Sequence, residues 1–256
     1  MRTRSIFLLL AAASTARAEI AIVNPESPVV VFAGRPAEIE WRIENRGDAP
    51  AKLDCSHRVF QLSSATAAPI GPAAPWKTLA LEPGQRMIET LAFALPAVRA
   101  TTTFRVEILS EGKPLGRQLV LACPTDLLKG AKLSVHDPDA RLASALARLG
   151  ALVSRYNPDE APPADAVIVI AASRAQIPSP LGTGRGAIVL LPARDIAAAT
   201  LGGRLGVLVE HGKIFCTDAA RFAEIETDAG AQLDFFKLVQ LALGRETLPF
   251  TDANVR

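Results

Sequence analysis

The hydrophobic pattern changes its period once along this chain, and that change limits the folds available to it. Up to about Cys123, apolar residues recur at every second position; after about Lys132, continuous apolar runs alternate with segments of helical spacing. A period of two predicts strands with one buried face, whereas buried runs separated by helices predict a parallel sheet covered on both faces. The sequence therefore predicts two domains of different class.

The first predicted domain, residues 19–126, is an all-β antiparallel sandwich. Turn-forming stretches at 45–50, 82–85 and 110–114 separate its strands. About seven short strands in about 105 residues are typical of a sandwich. Three of these strands show clear alternation, and in each of them one face collects the alternating set. The sets are Ile39, Trp41 and Ile43; Leu53, Cys55, His57 and Val59; and Phe104, Val106 and Ile108.

Two stretches close this domain, LEPGQRMIETLAFALP and TTTFRVEILSEGKPLGRQLVLA. Their strand spacing resembles the last strands of immunoglobulin-like and fibronectin type III-like modules. The resemblance implies an immunoglobulin-like connection of the strands and carries no expectation of catalysis.

The second predicted domain, residues 131–245, is a three-layer α/β domain with a mostly parallel sheet. Its first strand ends at Asp137-Pro138, a pair typical of a helix N-cap followed by the first helical position. The next helix is expected to bury Leu142, Leu146 and Leu149 and to end at Gly150. DAVIVIAA and GAIVLLP have the composition of strands that are covered on both faces.

A closing helix is predicted over about residues 229–243. Its spacing predicts burial of Leu233, Phe236, Val239 and Leu243. The same spacing predicts that only the polar stripe of Asp234, Lys237 and Gln240 meets water. Residues 246–256 are expected to form a C-terminal tail.

Several stretches of this half share one family resemblance: VHDPDARLASALARLGA, DAVIVIAA, TGRGAIVLLP, and GKIFCTDAARF before AQLDFFKLVQLALG. They resemble class I glutamine amidotransferase-like, or flavodoxin-like, domains. Such domains occur as non-catalytic modules beside β-sandwiches in bacterial carbohydrate-active proteins. The resemblance implies a flavodoxin-like fold and a module without amidase chemistry.

Residues 1–18 have the pattern of an export signal. Arg2 and Arg4 precede a short apolar run, and the small-residue triplet 16–18 predicts cleavage before Glu19. Because a membrane span needs roughly 20 apolar residues, we expect a periplasmic or extracellular protein without a membrane span. Loss of the signal lowers the net charge from +2 to about −1, which disfavours nucleic acid as a partner.

The stretch HGKIFCTDAARF, residues 211–222, places a histidine and a thiol close together in the sequence. Two strand patterns flank His211-Gly212, which predicts a tight hairpin with an exposed histidine at its tip. The five steps from His211 to Cys216 span roughly 16 Å of extended chain. At that distance the imidazole could not activate the thiol, so Cys216 is expected to be a buried structural residue.

An enzyme of the amidotransferase or hydrolase type needs a nucleophile on a sharp turn of the form G-x-C-x-G or G-x-S-x-G. The strand ends here, AASRAQIPS and LLPARDI, lack it. The alternative, a small hydrolase, would use the carboxyl ends of the parallel strands, where such sheets bind ligands. Its candidate residues are His136, Asp137, Ser173, Arg194 and Asp195.

Neither a cofactor nor a metal is expected. The glycine-rich stretch 181–187 precedes a strand, whereas a phosphate cradle follows one. Cys55 and His57 share a strand face but are only two ligands, and zinc sites take three or four. A disulfide between Cys55 and Cys123 is predicted instead, since export leads to an oxidising compartment.

Three aromatic residues are candidates for stacking on sugars, namely Trp41, Trp76 and Tyr156. Of these, Trp41 is expected in the core and Trp76 on the surface. The leading hypothesis is a secreted or periplasmic non-catalytic binding or scaffolding protein, linked to polysaccharide handling, with a glycan or another exported protein as its partner. The alternatives are the hydrolase and an interaction subunit of a cell-envelope assembly.

Overall fold

The computed structural model describes residues 17–24, 27–160, 163, 165–172, 186–192, 207–211 and 214–245. The chain divides into two compact units. The first takes the chain up to Val29, Pro36–Ala94 and Thr102–Leu121, and the second takes Val30–Arg35, Leu95–Thr101 and the chain from Ala122 onward.

The described chain up to Cys123 consists of strands. They are β1 (Ile20–Ile22), β2 (Val29–Phe32), β3 (Pro36–Asn45), β4 (Ala51–Leu62), β5 (Ala67–Pro69), β6 (Ala74–Leu81), β7 (Arg86–Ala94), β8 (Thr102–Ser110) and β9 (Lys113–Cys123). One sheet has the order β1-β3-β7, and the other has the order β2-β9-β8-β4-β5 with β6 also paired to β4. β3 runs antiparallel to β7, and β4 runs antiparallel to β8.

The predicted alternation is confirmed in these sheets. On β3, Ile39, Trp41 and Ile43 are buried, whereas the residues between them point the other way. On β8, Phe104, Val106 and Ile108 are buried as expected. Between β8 and β9, Glu111 and Gly112 both have positive φ, which a two-residue type I′ hairpin requires. The antiparallel β class of this half is confirmed.

The rest of the described chain forms an α/β sheet with few helices. Its strands are β10 (Lys132–His136), β11 (Leu152–Arg155), β12 (Val167–Ala171), β13 (Ala187–Leu191), β14 (Val207–His211) and β15 (Ile214–Asp218). Its helices are α1 (Arg141–Arg148), the short 3₁₀ helix Ala219–Phe222 and α2 (Ala229–Ala242). Because α1 joins β10 to its parallel neighbour β11, the chain makes the expected strand–helix–strand crossover.

The strand order is β11-β10-β12-β13-β15-β14, and only β14 runs antiparallel to its neighbour. The five parallel strands, numbered along the chain, follow the order 2-1-3-4-5 that flavodoxin-type sheets have. The predicted mostly parallel sheet is therefore confirmed. As predicted, the residues of β12 and β13 are buried, apart from the half-buried Ala171, and they contribute to hydrophobic cores on both faces of the sheet.

The start of α1 differs from the prediction. The N-cap position is Ala140, with a left-handed backbone, rather than Asp137. A turn comes first, because the Ala140 N–H donates to the Asp137 carbonyl. The Asp137 carboxylate nevertheless accepts the Ala143 N–H at 3.0 Å, so this aspartate satisfies a helix N–H from outside the helix.

The polar stripe predicted for α2 is only half-exposed. Phe235 and Leu238 are fully buried, whereas Phe236 and Leu243, which the spacing placed in the core, are half-buried. Every residue of the helix is buried or half-buried, including Asp234, which accepts hydrogen bonds from Arg221. A helix that is largely apolar all round has no single solvent-exposed face. The division into a buried and an exposed face that the spacing predicted was therefore wrong.

Asp228 caps α2, and replacing it tests how far this helix depends on its cap. Its carboxylate accepts the N–H groups of Gly230 and Ala231 at 2.7 and 3.2 Å. We expect Asp228→Ala to lower the free energy of unfolding by about 1 kcal/mol, the usual cost of a lost N-cap, in urea titrations followed by circular dichroism. Asp228→Asn is the matched control and should stay close to wild type, because asparagine caps equally well.

Candidate binding groove

A groove of about 610 Å³ lies on the outer face of the β1-β3-β7 sheet, within the first unit. Four of its lining residues are charged, and Val23 and Ile88 add exposed aliphatic side chains. The other two, Ile43 and Met87, belong to the opposite face of the sheet by alternation, and Ile43 is fully buried. The complete lining is Val23, Arg42, Ile43, Glu44, Arg46, Arg86, Met87 and Ile88.

The register of the sheet explains how these side chains meet. Arg42 is paired with Ile88, and Glu44 with Arg86, on neighbouring strands β3 and β7. Since Trp41 occupies the buried face of β3, the residues on either side of it point outward. The same alternation that builds the core therefore collects charged and aliphatic side chains on the opposite face.

Glu44 is the centre of an ion-pair cluster in the groove. Its Oε1 accepts from Arg86 Nη2 at 2.9 Å, and its Oε2 accepts from Arg46 Nε at 3.3 Å. The hydrogen bond from Arg86 lowers the pKa of Glu44, partial burial opposes this, and Arg46 lowers the pKa further. The lining also contains Arg42, so the groove has three guanidinium groups and one carboxylate, which pairs with two of them.

The apolar part of the groove is unusually exposed. Val23 and Ile88 present 46% and 61% of their surface to solvent, and among the described residues only Leu152 is a comparably exposed large hydrophobic residue. Two of these three side chains thus line one groove. Exposed aliphatic side chains bordered by exposed cations, such as Arg86 at 80%, form the kind of surface that binds a partner.

The residues that sequence analysis selected lie elsewhere. His136 ends β10, where it is half-buried and paired in register with Ile170, and its Nε2 is buried without a hydrogen-bond partner among the described residues. This is the point at which the 2-1-3-4-5 strand order reverses, the usual ligand position in such sheets. Asp137 follows His136 in the chain, and its carboxylate accepts a hydrogen bond from the Ala143 N–H. Ser173, Arg194, Asp195 and residues 181–185 lie outside the described residues.

The predicted disulfide is not formed in this structure. Cys55 and Cys123 are both buried and both free. They lie on β4 and β9, and β8 separates these strands in the sheet. Strands two places apart are about 9.6 Å from each other, whereas a disulfide needs Cα atoms within about 7 Å. Burial raises the pKa of both thiols, which disfavours the reactive thiolate.

The distance predicted between His211 and Cys216 was wrong. The hairpin itself is confirmed, but His211 ends β14 and its backbone pairs with Ile214, two residues before Cys216. Because β14 and β15 pair antiparallel, with Val209 opposite Cys216, the backbones of His211 and Cys216 are closer than along an extended chain. Cys216 is half-buried against the core that contains Tyr156 and Val189, and burial raises its pKa.

The remaining candidates fall into different surroundings. Burial lowers the pKa of half-buried His57, and the described residues contain no group of three or more His, Cys, Asp or Glu placed to hold a metal ion. Trp41 is in the core as predicted, and Tyr156 is buried. Trp76 is half-buried on β6, so its predicted exposure was wrong. No helix of the described chain is long and apolar enough to cross a bilayer.

Comparisons with known proteins give distant, partial likenesses. No protein-family model and no curated protein matches the chain. The alkylpurine DNA glycosylase AlkC of Pseudomonas fluorescens matches with a TM-score of 0.32 and 18% identity, over 41% of this chain and 31% of that one. A β-glucosidase of Listeria innocua matches with a TM-score of 0.33 and 16% identity, over 41% of this chain and 16% of that one.

A GH3 β-glucosidase of Bifidobacterium adolescentis matches with a TM-score of 0.30 and 16% identity, over 41% of this chain and 17% of that one. The chain spans less than a third of the length of each of these proteins. It thus has a distant structural resemblance to parts of carbohydrate-active enzymes, and these likenesses assign it no activity.

Sequence analysis missed the groove, although one signal for it exists. In RMIETLAFA, the alternation places Met87, Glu89 and Leu91 on one face and Arg86 and Ile88 on the other. An isoleucine on the face opposite Leu91 and Phe93 departs from the alternation of buried apolar and exposed residues. Such a departure is visible in the sequence and marks an exposed apolar side chain.

The pKa of Glu44 tests the ion-pair cluster. We expect its carboxyl group to titrate below its ordinary value of 4.5 in pH-dependent NMR spectra. Arg86→Gln should raise the midpoint, because the largest lowering cause is removed, and Arg46→Gln should raise it less. Arg35→Gln, which removes a guanidinium that stacks on Phe32, serves as the control. Identical midpoints in wild type and Arg86→Gln would contradict the described pairing.

The sign of the linked stability follows from this lowered pKa. The stabilisation from the Glu44 ion pairs is fully present above the unfolded-state pKa and is lost as the pH falls through the lowered folded-state pKa. The free energy of unfolding of Glu44→Gln should therefore be lower than that of wild type at neutral pH, and the two values should converge in strong acid.

The cysteines provide a second test. Protein purified without reductant and then denatured should release three free thiols per chain in a dithionitrobenzoate assay, since all three cysteines are free. The native protein should react slowly at neutral pH, because burial raises the thiol pKa values. A result of one free thiol per chain would instead show that two of the cysteines form a disulfide, as predicted from the sequence.

Proposed function

We propose that this chain is an exported, non-catalytic binding protein that uses the groove to hold an anionic partner. The observation that carries the proposal is the combination of three guanidinium groups and two exposed aliphatic side chains on one sheet face. Export is supported by the signal pattern of residues 1–18.

The positive charge of the groove is local. The whole chain has a formal net charge of +2, which falls to about −1 without the predicted signal. Attraction of a polyanion therefore depends on where the arginines lie. Guanidinium groups suit carboxylate ligands because they form paired, charge-assisted hydrogen bonds.

Binding fits the groove better than catalysis does. Its one acidic residue, Glu44, is kept ionised by Arg86, whereas a general acid near neutral pH needs a raised pKa. The other charged groups of the lining are arginines, and the remaining residues are aliphatic or methionine. Such a set binds and orients a partner but offers no nucleophile.

The aliphatic character of the groove favours a polypeptide partner over a neutral glycan. Sugar rings stack on aromatic side chains, and the lining contains none. Of the aromatic candidates, Trp41 and Tyr156 are buried. An acidic polypeptide supplies both the carboxylates for the arginines and the apolar side chains for Val23 and Ile88, as expected for an interaction subunit of an envelope assembly.

Binding of two polyanions tests the proposal. We expect poly-L-glutamate to bind the mature protein with an affinity that falls as salt rises, and Arg86→Gln to weaken it by about threefold to tenfold, the effect of one lost charge contact. Fluorescence anisotropy with labelled polymer measures both. Arg117→Gln removes an exposed arginine of β9, outside the groove, and is the matched control.

Three results would count against the proposal. Absence of binding at low salt would remove the groove as an anion site. Equal losses in the Arg86 and Arg117 variants would indicate unspecific attraction. If polygalacturonate binds more strongly than polyglutamate and Arg86→Gln weakens this binding, the groove binds an acidic polysaccharide. That result would support the link to polysaccharide handling.

A further inference from the structure

We infer that the partner of the groove is an extended acidic polypeptide segment that adds as a strand to the open edge of β7. This inference rests on the proposed function and specifies the partner and its mode of binding. It depends on the position of β7 in its sheet, the direction of its backbone groups, and the charges beside them.

β7 is the last strand of the β1-β3-β7 sheet, and no described strand pairs with its far side. It is nine residues long. Edge strands are usually protected by shortness, proline, lysine or a bulge. β7 contains neither proline nor lysine, and its pairing with β3 runs over nine residue pairs without a register shift.

The outward backbone groups can be assigned from the ladder. The Asn45 N–H donates to the Gln85 carbonyl at 3.0 Å, whereas the Arg42 carbonyl accepts from Val23 on the opposite side. Hydrogen-bonding direction alternates along a strand, so odd-numbered residues of β7 face β3. The N–H and C=O groups of Arg86, Ile88, Thr90 and Ala92 therefore point to the open edge.

These same four residues, together with Ala94, carry the exposed side chains of the strand. An added strand would therefore bond to the backbone of the same residues whose side chains it meets on the outer face. A strand placed there would set one residue beside Arg86 and another, two positions away, beside Ile88. An acidic residue suits the first position and an aliphatic residue the second.

Charge distinguishes this partner from a second copy of the chain. In a second copy, the residues that β7 would present on the outer face are Arg86, Ile88, Thr90, Ala92 and Ala94, and none is acidic. Glu89 lies on the other face, where it is paired with Lys77. Glu44 already pairs with Arg86 and Arg46. The positive charge that remains in the groove, three arginines against one glutamate, is matched by a partner that brings its own carboxylates.

Backbone-methylated peptides test strand addition on the wild-type protein. The probe is a blocked nine-residue peptide in which Glu and Val alternate at every second position, with Ser between. Methylation of the amides of one alternating set should abolish binding in isothermal titration, because those N–H groups would bond to β7. Methylation of the other set should leave the affinity within about threefold, because those N–H groups face solvent.

Thr90→Pro tests the same edge from the protein side. It removes one outward N–H, which an edge strand tolerates without losing its ladder. We expect this substitution to lower the affinity for the peptide by about tenfold or more, because a backbone hydrogen bond is lost and the edge is blocked. Thr90→Val, which keeps the N–H, should bind like wild type. If Thr90→Pro fails to fold, as judged by circular dichroism, the two methylated peptides decide.

The outcomes separate this inference from the proposed function. If both methylated peptides bind equally while Arg86→Gln still weakens polyglutamate, strand addition is wrong and the anion groove stands. If neither polyglutamate nor the peptide binds, both fall. If the protein alone forms dimers that Thr90→Pro dissociates in analytical ultracentrifugation, the edge belongs to a second copy and the acidic partner is excluded.

Discussion

Burial of Trp41 together with Ile39 and Ile43 sets the orientation of β3, and the other features of the first unit depend on it. Because alternate residues of a strand point to opposite faces, burying these three commits Arg42 and Glu44 to the outer face. The unbroken register with β7 then fixes Arg86 beside Glu44 and Ile88 beside Arg42. The groove is thus a direct result of how the core is packed.

The fold class follows from the sequence because period and composition depend on local chemistry. Alternation at Phe104, Val106 and Ile108 and the apolar runs of β12 and β13 predicted strands of two kinds, and both kinds are present. The details that failed depend on neighbours distant in sequence. The half-burial of Asp234 on α2 and the start of α1 at Arg141 are decided by packing and by a turn, which periodicity does not encode.

The candidate site was less predictable because sites depend on which strands become neighbours. The distance from His211 to Cys216 along an extended chain is large, although a hairpin brings such positions together. A disulfide between Cys55 and Cys123 suits an oxidising compartment, but β8 separates their strands. The position of His136 at the carboxyl end of a parallel strand follows from the sequence and is confirmed. The groove required the pairing of Glu44 with Arg86, 42 positions apart, and only the exposed Ile88 hinted at it.

The path of the chain through the two units has an evolutionary consequence. The short segments Val30–Arg35 and Leu95–Thr101 belong to the second unit, although first-unit strands precede and follow each of them. Domains joined by one linker can be exchanged between genes by a single crossover at that linker. Here the chain passes between the units more than once, so a single crossover could not transplant either unit intact.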